Sequence, residues 1–203
     1  MTYQQLINYL MSFDISTHVM DIGTRDLATS NIYPFILRGS KALCVEANPL
    51  QVKVIEDEID KLPEHTAVTL IPKAISTYEG HTDFIQSTNI GHSRIPNTEF
   101  DRLKWQSKMN KISVECTTLN TILLNNPEFI NSFFVSIDLE GLDEMVLNQI
   151  IESDFRPKFV LSEHMNDDKR IKIQQDIMKT HYYVVSSTVM ENNNTLFVLK
   201  NIN

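Results

Sequence analysis

Four short apolar runs, each closing on an acidic residue, alternate along this chain with stretches whose apolar residues recur at helical spacing. THVMDIG closes at Asp21, KALCVEANP at Glu46, SFFVSIDLEG at Asp138 and PKFVLSEH at Glu163. LQVKVIEDEIDKL, LDEMVLNQII and DKRIKIQQDIMKT supply the helical spacing between and after them. Strand and helix in alternation imply an α/β fold: a doubly wound, mostly parallel sheet, covered by helices on both faces and joined by right-handed crossovers. Such sheets take ligands at the carboxyl ends of their strands, near the point where strand order reverses. All four acids stand at those ends.

The remaining segments fill in around this frame. MTYQQLINYLMSF reads as an amphipathic first helix within residues 1–16, and Asp26 to Leu37 as a second helix that Pro34 limits or kinks. AVTLIPKAIS supplies a third strand, YEGHTDFIQS an antiparallel excursion after Gly80, and KISVECTTL a further strand. YYVVSSTVMENNNTLFVLKN reads as a closing antiparallel hairpin turned between Glu191 and Asn194. Residues 88–111, polar and irregular around Gly91, Pro96 and Trp105, are expected to form a substrate loop or lid.

Size and charge narrow the function. A chain of 203 residues, 42% hydrophobic, fills one core and is short for two, so one domain over 1–203 is expected. No apolar run approaches the ~20 residues that cross a bilayer, and the N-terminus lacks the basic and apolar regions of a secretory signal. Cys44 and Cys116, both in apolar strand-like stretches, read as reduced thiols, which points to the cytoplasm. A net charge of -8 disfavours nucleic acid as a partner, since phosphate contacts rest on Lys and Arg. Arg94, Arg102, Lys104, Lys108 and Lys111 form a local basic cluster that either attracts an anionic substrate or is simply solvated. The oligomeric state is not legible.

The candidate chemistry gathers at the strand ends. Asp21-Ile-Gly23 ends a strand in a residue that lets the backbone turn sharply and approach a ligand closely. Glu46, roughly twenty residues on, stands where a carboxylate accepts hydrogen bonds from ribose hydroxyls, or where it merely heads the next helix. The turn reads GTRDLA, with one glycine rather than the three of a dinucleotide site. A cofactor without phosphates is therefore favoured over NAD, and S-adenosylmethionine meets that requirement. In SIDLEG, extended alternation would point Asp138 and Glu140 to one side, as general base or as a partner for the cofactor's amino group. The competing reading places Glu140 and Gly141 at the start of the next helix. His92, His164 and the acids show no tight ligand spacing, so no metal is expected.

From His18 to His164 the sequence resembles the FkbM-type S-adenosylmethionine-dependent methyltransferases. MDIGTRDLATS matches the cofactor turn, CVEANP the ribose-binding acid, KAISTYEGHTDF the third strand with its glycine turn, and SIDLEGLDEMVL followed by VLSEH the most specific stretch. The resemblance implies a Rossmann-like, class I methyltransferase-like domain that methylates an oxygen of a sugar or small-molecule hydroxyl. It implies Asp138 and Glu140 as catalytic residues. The implied cofactor contacts are Asp21, Gly23, Thr24, Arg25, Ser30, Glu46, Ala47, Ala74 and Asp138. Glu163, His164, His92 and Trp105 are implied for the acceptor pocket. The chain departs from the family at Arg25 and Leu27, where Asn and a second Gly are usual, and at Ser136, where Lys is frequent. Leu27 motivates a rival reading, a catalytically silent relative that binds a nucleoside or a partner protein.

Overall fold

The structure is a computed structural model that describes residues 1–13, 18–64, 66–87, 93, 95–96, 109–190 and 193–200. Helix α1 (Tyr3–Met11) opens on a capping box in which the Thr2 hydroxyl accepts from the Gln5 amide and the Gln5 side chain accepts from the Thr2 amide. It buries Leu6, Ile7 and Leu10. Strand β1 (His18–Ile22), short helix α2 (Tyr33–Ile36), β2 (Lys41–Val45), α3 (Pro49–Ile59) and β3 (Ala67–Ile71) follow. Next come β4 (Ala74–Ile75), β5 (Gly80–Ser87), β6 (Met109–Thr117), α4 (Leu119–Asn125) and a 3-10 turn (Pro127–Asn131). The chain continues through β7 (Phe134–Ile137), α5 (Asp143–Glu152), β8 (Phe159–Glu163), α6 (Asp168–Met178), β9 (Tyr182–Val189) and β10 (Asn194–Leu199).

Seven strands form one sheet in the order β3-β2-β1-β7-β8-β10-β9, parallel except for β10. Because β1, β2, β7 and β8 are apolar on both faces, they can only sit at the centre, under two layers of core. One layer packs Val146, Leu147 and Ile150 of α5 with Met178 of α6 over Met20 and Val135. The other packs Leu6 and Leu10 of α1 with Phe35 and Ile55 over Val19 and Phe134. From β1 the chain winds outward to β2 and β3, then returns to place β7 on β1's other side. Strand order therefore reverses between β1 and β7, and a crevice opens where their carboxyl ends part.

Three expectations change. The helix over Asp26 to Leu37 shrinks to α2, because Asp26 Oδ1 accepts from the Thr29 amide (2.8 Å) and hydroxyl (2.7 Å) and closes a turn instead. The strand in AVTLIPKAIS divides: β3 joins the large sheet, and β4, beyond Pro72, joins β5 and β6 in a separate three-stranded sheet. Strand β7 stops at Ile137, and Glu140 (φ +50) and Gly141 (φ +104) lie in a turn before α5. The strand alternation expected to align Asp138 with Glu140 therefore does not operate.

Cys44 and Cys116 are buried free thiols, and no helix among the described residues is long and apolar enough to cross a membrane. Of residues 88–111, Ser93, Ile95 and Pro96 are described, and Met109–Lys111 belong to β6. Residues 191–192 of the hairpin turn, with His92, Arg94, Arg102, Lys104, Trp105 and Lys108, lie outside the described residues. Lys111 pairs with Asp83 at 2.7 Å on the exposed face of the small sheet.

Candidate active site

The crevice is shaped by one steric fact. Gly23 adopts φ +95, and a Cβ there would lie 1.9 Å from the Asp138 carbonyl oxygen. The glycine lets the exits of β1 and β7 meet, so the close approach that the sequence assigned to a ligand is made by the Asp138 backbone. The amides of Gly23 and Thr24 both donate to the Val45 carbonyl (2.9 and 3.1 Å), which ties this turn to β2.

On this floor stand two buried acids. Asp21 accepts a 2.5 Å hydrogen bond from the Ser30 hydroxyl, and burial pushes its carboxyl up to about 6 against the opposing pull of Ser30 and Ser136. Glu46, just past β2, accepts from the Asn48 amide at 2.7 Å, and burial pushes it up to about 7. Asn48 caps α3 through its side chain and also accepts from Gln86 of β5 at 2.8 Å, so the small sheet is fastened beside Glu46.

The opposite wall is a linked acid cluster. The carboxyls of Asp138 and Glu163 are near enough to influence each other, and burial raises the proton affinity of both. Glu163 Oε2 finds no donor among the described residues. Two adjoining carboxylates in this setting are most stable when they share one proton. Behind them Asp143 of α5 is fully buried and pushed up to about 7 by that burial, although Arg170 of α6 reaches it at 3.0 Å. Arg170 also grips Glu144 through Nε (2.9 Å) and Nη2 (3.0 Å), and Gln174 donates to the Glu163 carbonyl at 2.6 Å.

Between the two walls lies a cavity of about 240 Å³. Of the residues singled out by sequence, Asp21, Gly23, Arg25, Ser30, Glu46, Ala47, Ala74, Asp138 and Glu140 line it. Thr24 does not; it is buried, with its hydroxyl donating to the Asp21 carbonyl at 2.9 Å. Glu163 stands behind Asp138, and His164 is fully buried with Nε2 3.2 Å from the Ser187 carbonyl, so neither lines the cavity. Asn31, Asn48, Gln51, Lys73, Phe84 and Met190 line it without having been anticipated. Only Asn48 carried a usable sequence signal, an Asn-Pro pair heading a helix. Among the described residues no group of three or more His, Cys, Asp or Glu side chains is placed to hold a metal.

The FkbM methyltransferase domain model matches residues 21–187. The chain belongs to the FkbM methyltransferase family. Solved structures agree on the fold at low identity. The methyltransferase domain of bacterial CtHen1-CN aligns with a TM-score of 0.53 at 11% identity, covering 97% of this chain and 96% of that one. Human methyltransferase 10 domain containing protein aligns with a TM-score of 0.52 at 13% identity, covering 99% and 82%. No curated protein matches in sequence. This FkbM domain thus has the class I fold of S-adenosylmethionine-dependent methyltransferases, and S-adenosylmethionine is its family's cofactor. The residues present fit that group: a cationic sulfonium and ammonium face a cavity lined by acids, and no pyrophosphate requires a glycine-rich cradle.

Proposed function

We propose that this FkbM domain is an O-methyltransferase that acts on a hydroxyl of a sugar or small molecule, with Asp138 as the residue that takes the hydroxyl proton. The observation that carries the reading is the position of Asp138, which lines the cavity at the carboxyl end of β7. When bound, S-adenosylmethionine supplies an electrophilic methyl carbon on sulfur. The chain's contribution is to hold the acceptor oxygen in line with that carbon, an advantage that reaches ~7–11 kcal/mol for well-oriented groups.

Burial gives Asp138 a higher proton affinity than a solvated carboxylate, against the opposing pull of Glu163 and Arg25, which suits a base acting near neutral pH. With the cofactor bound, the acceptor oxygen would bond to the methyl carbon as the carbon–sulfur bond breaks, its electron pair leaving on sulfur as the neutral thioether, and the hydroxyl proton would pass to Asp138. Glu140, on the same rim, orients the acceptor. Glu46 receives the ribose hydroxyls, and Ala47 and Ala74 offer an apolar wall to the base of the nucleoside.

The test joins binding to turnover. Isothermal titration should give micromolar affinity for S-adenosylmethionine and S-adenosylhomocysteine and none for NADH or ATP. A panel of hydroxylated acceptors should yield a product heavier by one methylene. Asp138→Asn should retain S-adenosylhomocysteine binding and lose transfer; an unchanged rate removes Asp138 from the proton-accepting role.

A further inference from the structure

Residues 23–30 follow the strand that carries Asp21, and five of their eight backbone amides, including the first two, are engaged within the protein. Gly23 and Thr24 donate to Val45, Leu27 to Glu58 Oε2 of α3 at 2.7 Å, Thr29 to Asp26, and Ser30 to the Leu27 carbonyl at 3.1 Å. Leu27 is itself buried, packed in the same core layer as Ile32, Phe35 and Ile55. The position is therefore part of the core rather than an open turn that has lost its glycine. An anionic ligand group arriving here meets few free amides. It also meets the carboxyls of Asp21, Glu46, Asp138 and Glu140, which repel it.

Arg25 is the cation that this turn presents to the same cavity. Its guanidinium is held along one edge: Nε donates to Asp26 Oδ2 at 3.0 Å and Nη2 to the Thr29 hydroxyl at 3.0 Å. A guanidinium has five N–H groups, and holding the Nε side leaves the Nη1–Nη2 end as a second fork. Among the described residues Nη1 has no hydrogen-bond partner. A fork held in place from behind is preorganised for bidentate pairing with a planar carboxylate.

Resting on the methyltransferase reading above, we propose that Arg25 binds the carboxylate of the cofactor's amino acid tail, in place of the backbone amides that this turn has committed elsewhere. The tail's ammonium and the sulfonium then face the acids while its one anionic group faces Arg25. This division of charge fixes the direction of the tail.

Two probes that differ only in the tail test the assignment. S-adenosylhomocysteine has the carboxylate, and 5'-methylthioadenosine has the same thioether nucleoside without it. In isothermal titration, Arg25→Gln should weaken S-adenosylhomocysteine binding by about tenfold to a hundredfold, the range for a lost charged hydrogen bond, and change methylthioadenosine binding less than about twofold. Arg25→Lys should recover part of the loss as a point charge without the fork. Equal losses for both probes would mean that Arg25 only shapes the turn, and an unchanged S-adenosylhomocysteine affinity would mean that another group holds the carboxylate; either overturns the proposal. A wild-type protein that binds the two probes equally overturns the Arg25 assignment alone, whereas one that binds neither overturns the cofactor site with it.

Discussion

Gly23 is held to glycine by two independent constraints, a left-handed backbone and a carbonyl 1.9 Å from where a Cβ would stand. Gly23→Ala should therefore destabilise the fold by about 2–4 kcal/mol, combining backbone strain with overpacking. Urea denaturation measures this, and a loss under about 1 kcal/mol would show that the β7 exit yields easily. Glu46→Ala should leave the melting transition nearly intact and weaken S-adenosylhomocysteine binding by about 1–3 kcal/mol; a wild-type affinity removes the ribose role. For Leu27→Gly, burial at 1% exposure makes the expected result a loss of stability of about 2–5 kcal/mol rather than a gain in affinity. Asp21, Gly23, Glu46 and Asp138 were legible in the sequence because each ends a periodic apolar run, and that pattern places strand ends. The function of Leu27 was not legible, because a spacing rule cannot tell an amide aimed at a ligand from one aimed at Glu58.

Helices α5 and α6 are clamped by Arg170, which bridges buried Asp143 and half-buried Glu144. Breaking such a buried pair from one side leaves a charge without a partner, so Arg170→Met should cost about 3–5 kcal/mol in chemical denaturation. Asp143→Asn in the same background should return part of that loss, since the stranded charge is then gone. If the double variant is no more stable than the single, the cost lies in packing instead. The helices were readable from their apolar spacing, but their clamp was not. Arg170 and Asp143 lie on separate elements, and nothing in local sequence says which helices pack together. The same limit explains the divided third strand: Pro72 marks a break, yet only the tertiary arrangement decides that Ala74 and Ile75 join a different sheet.

Across the whole molecule, buried acids with raised proton affinity collect at one end of the sheet: Asp21 at about 6, Glu46 at about 7 and Asp143 at about 7, against ordinary values of 3.8, 4.5 and 3.8. Each holds its proton more tightly folded than unfolded. Their contribution is therefore complete below about pH 4 and is lost as pH rises through about 6 to 7. Thermal melts should show a higher midpoint at about pH 5.5 than at about pH 8, and a midpoint that rises over that interval would mean that these carboxyls are better solvated than the structure places them. The reversal of strand order has a kinetic consequence as well. Pairing Val19 of β1 with Phe134 of β7 closes a loop that spans most of the chain, a contact that folds slowly for entropic reasons. The crevice exists only after that closure, so S-adenosylhomocysteine should slow the unfolding limb of a chevron and leave the refolding limb where it was. The ligand then acts as a lock on a finished chain, setting how long the native state lasts and leaving untouched how quickly it is reached.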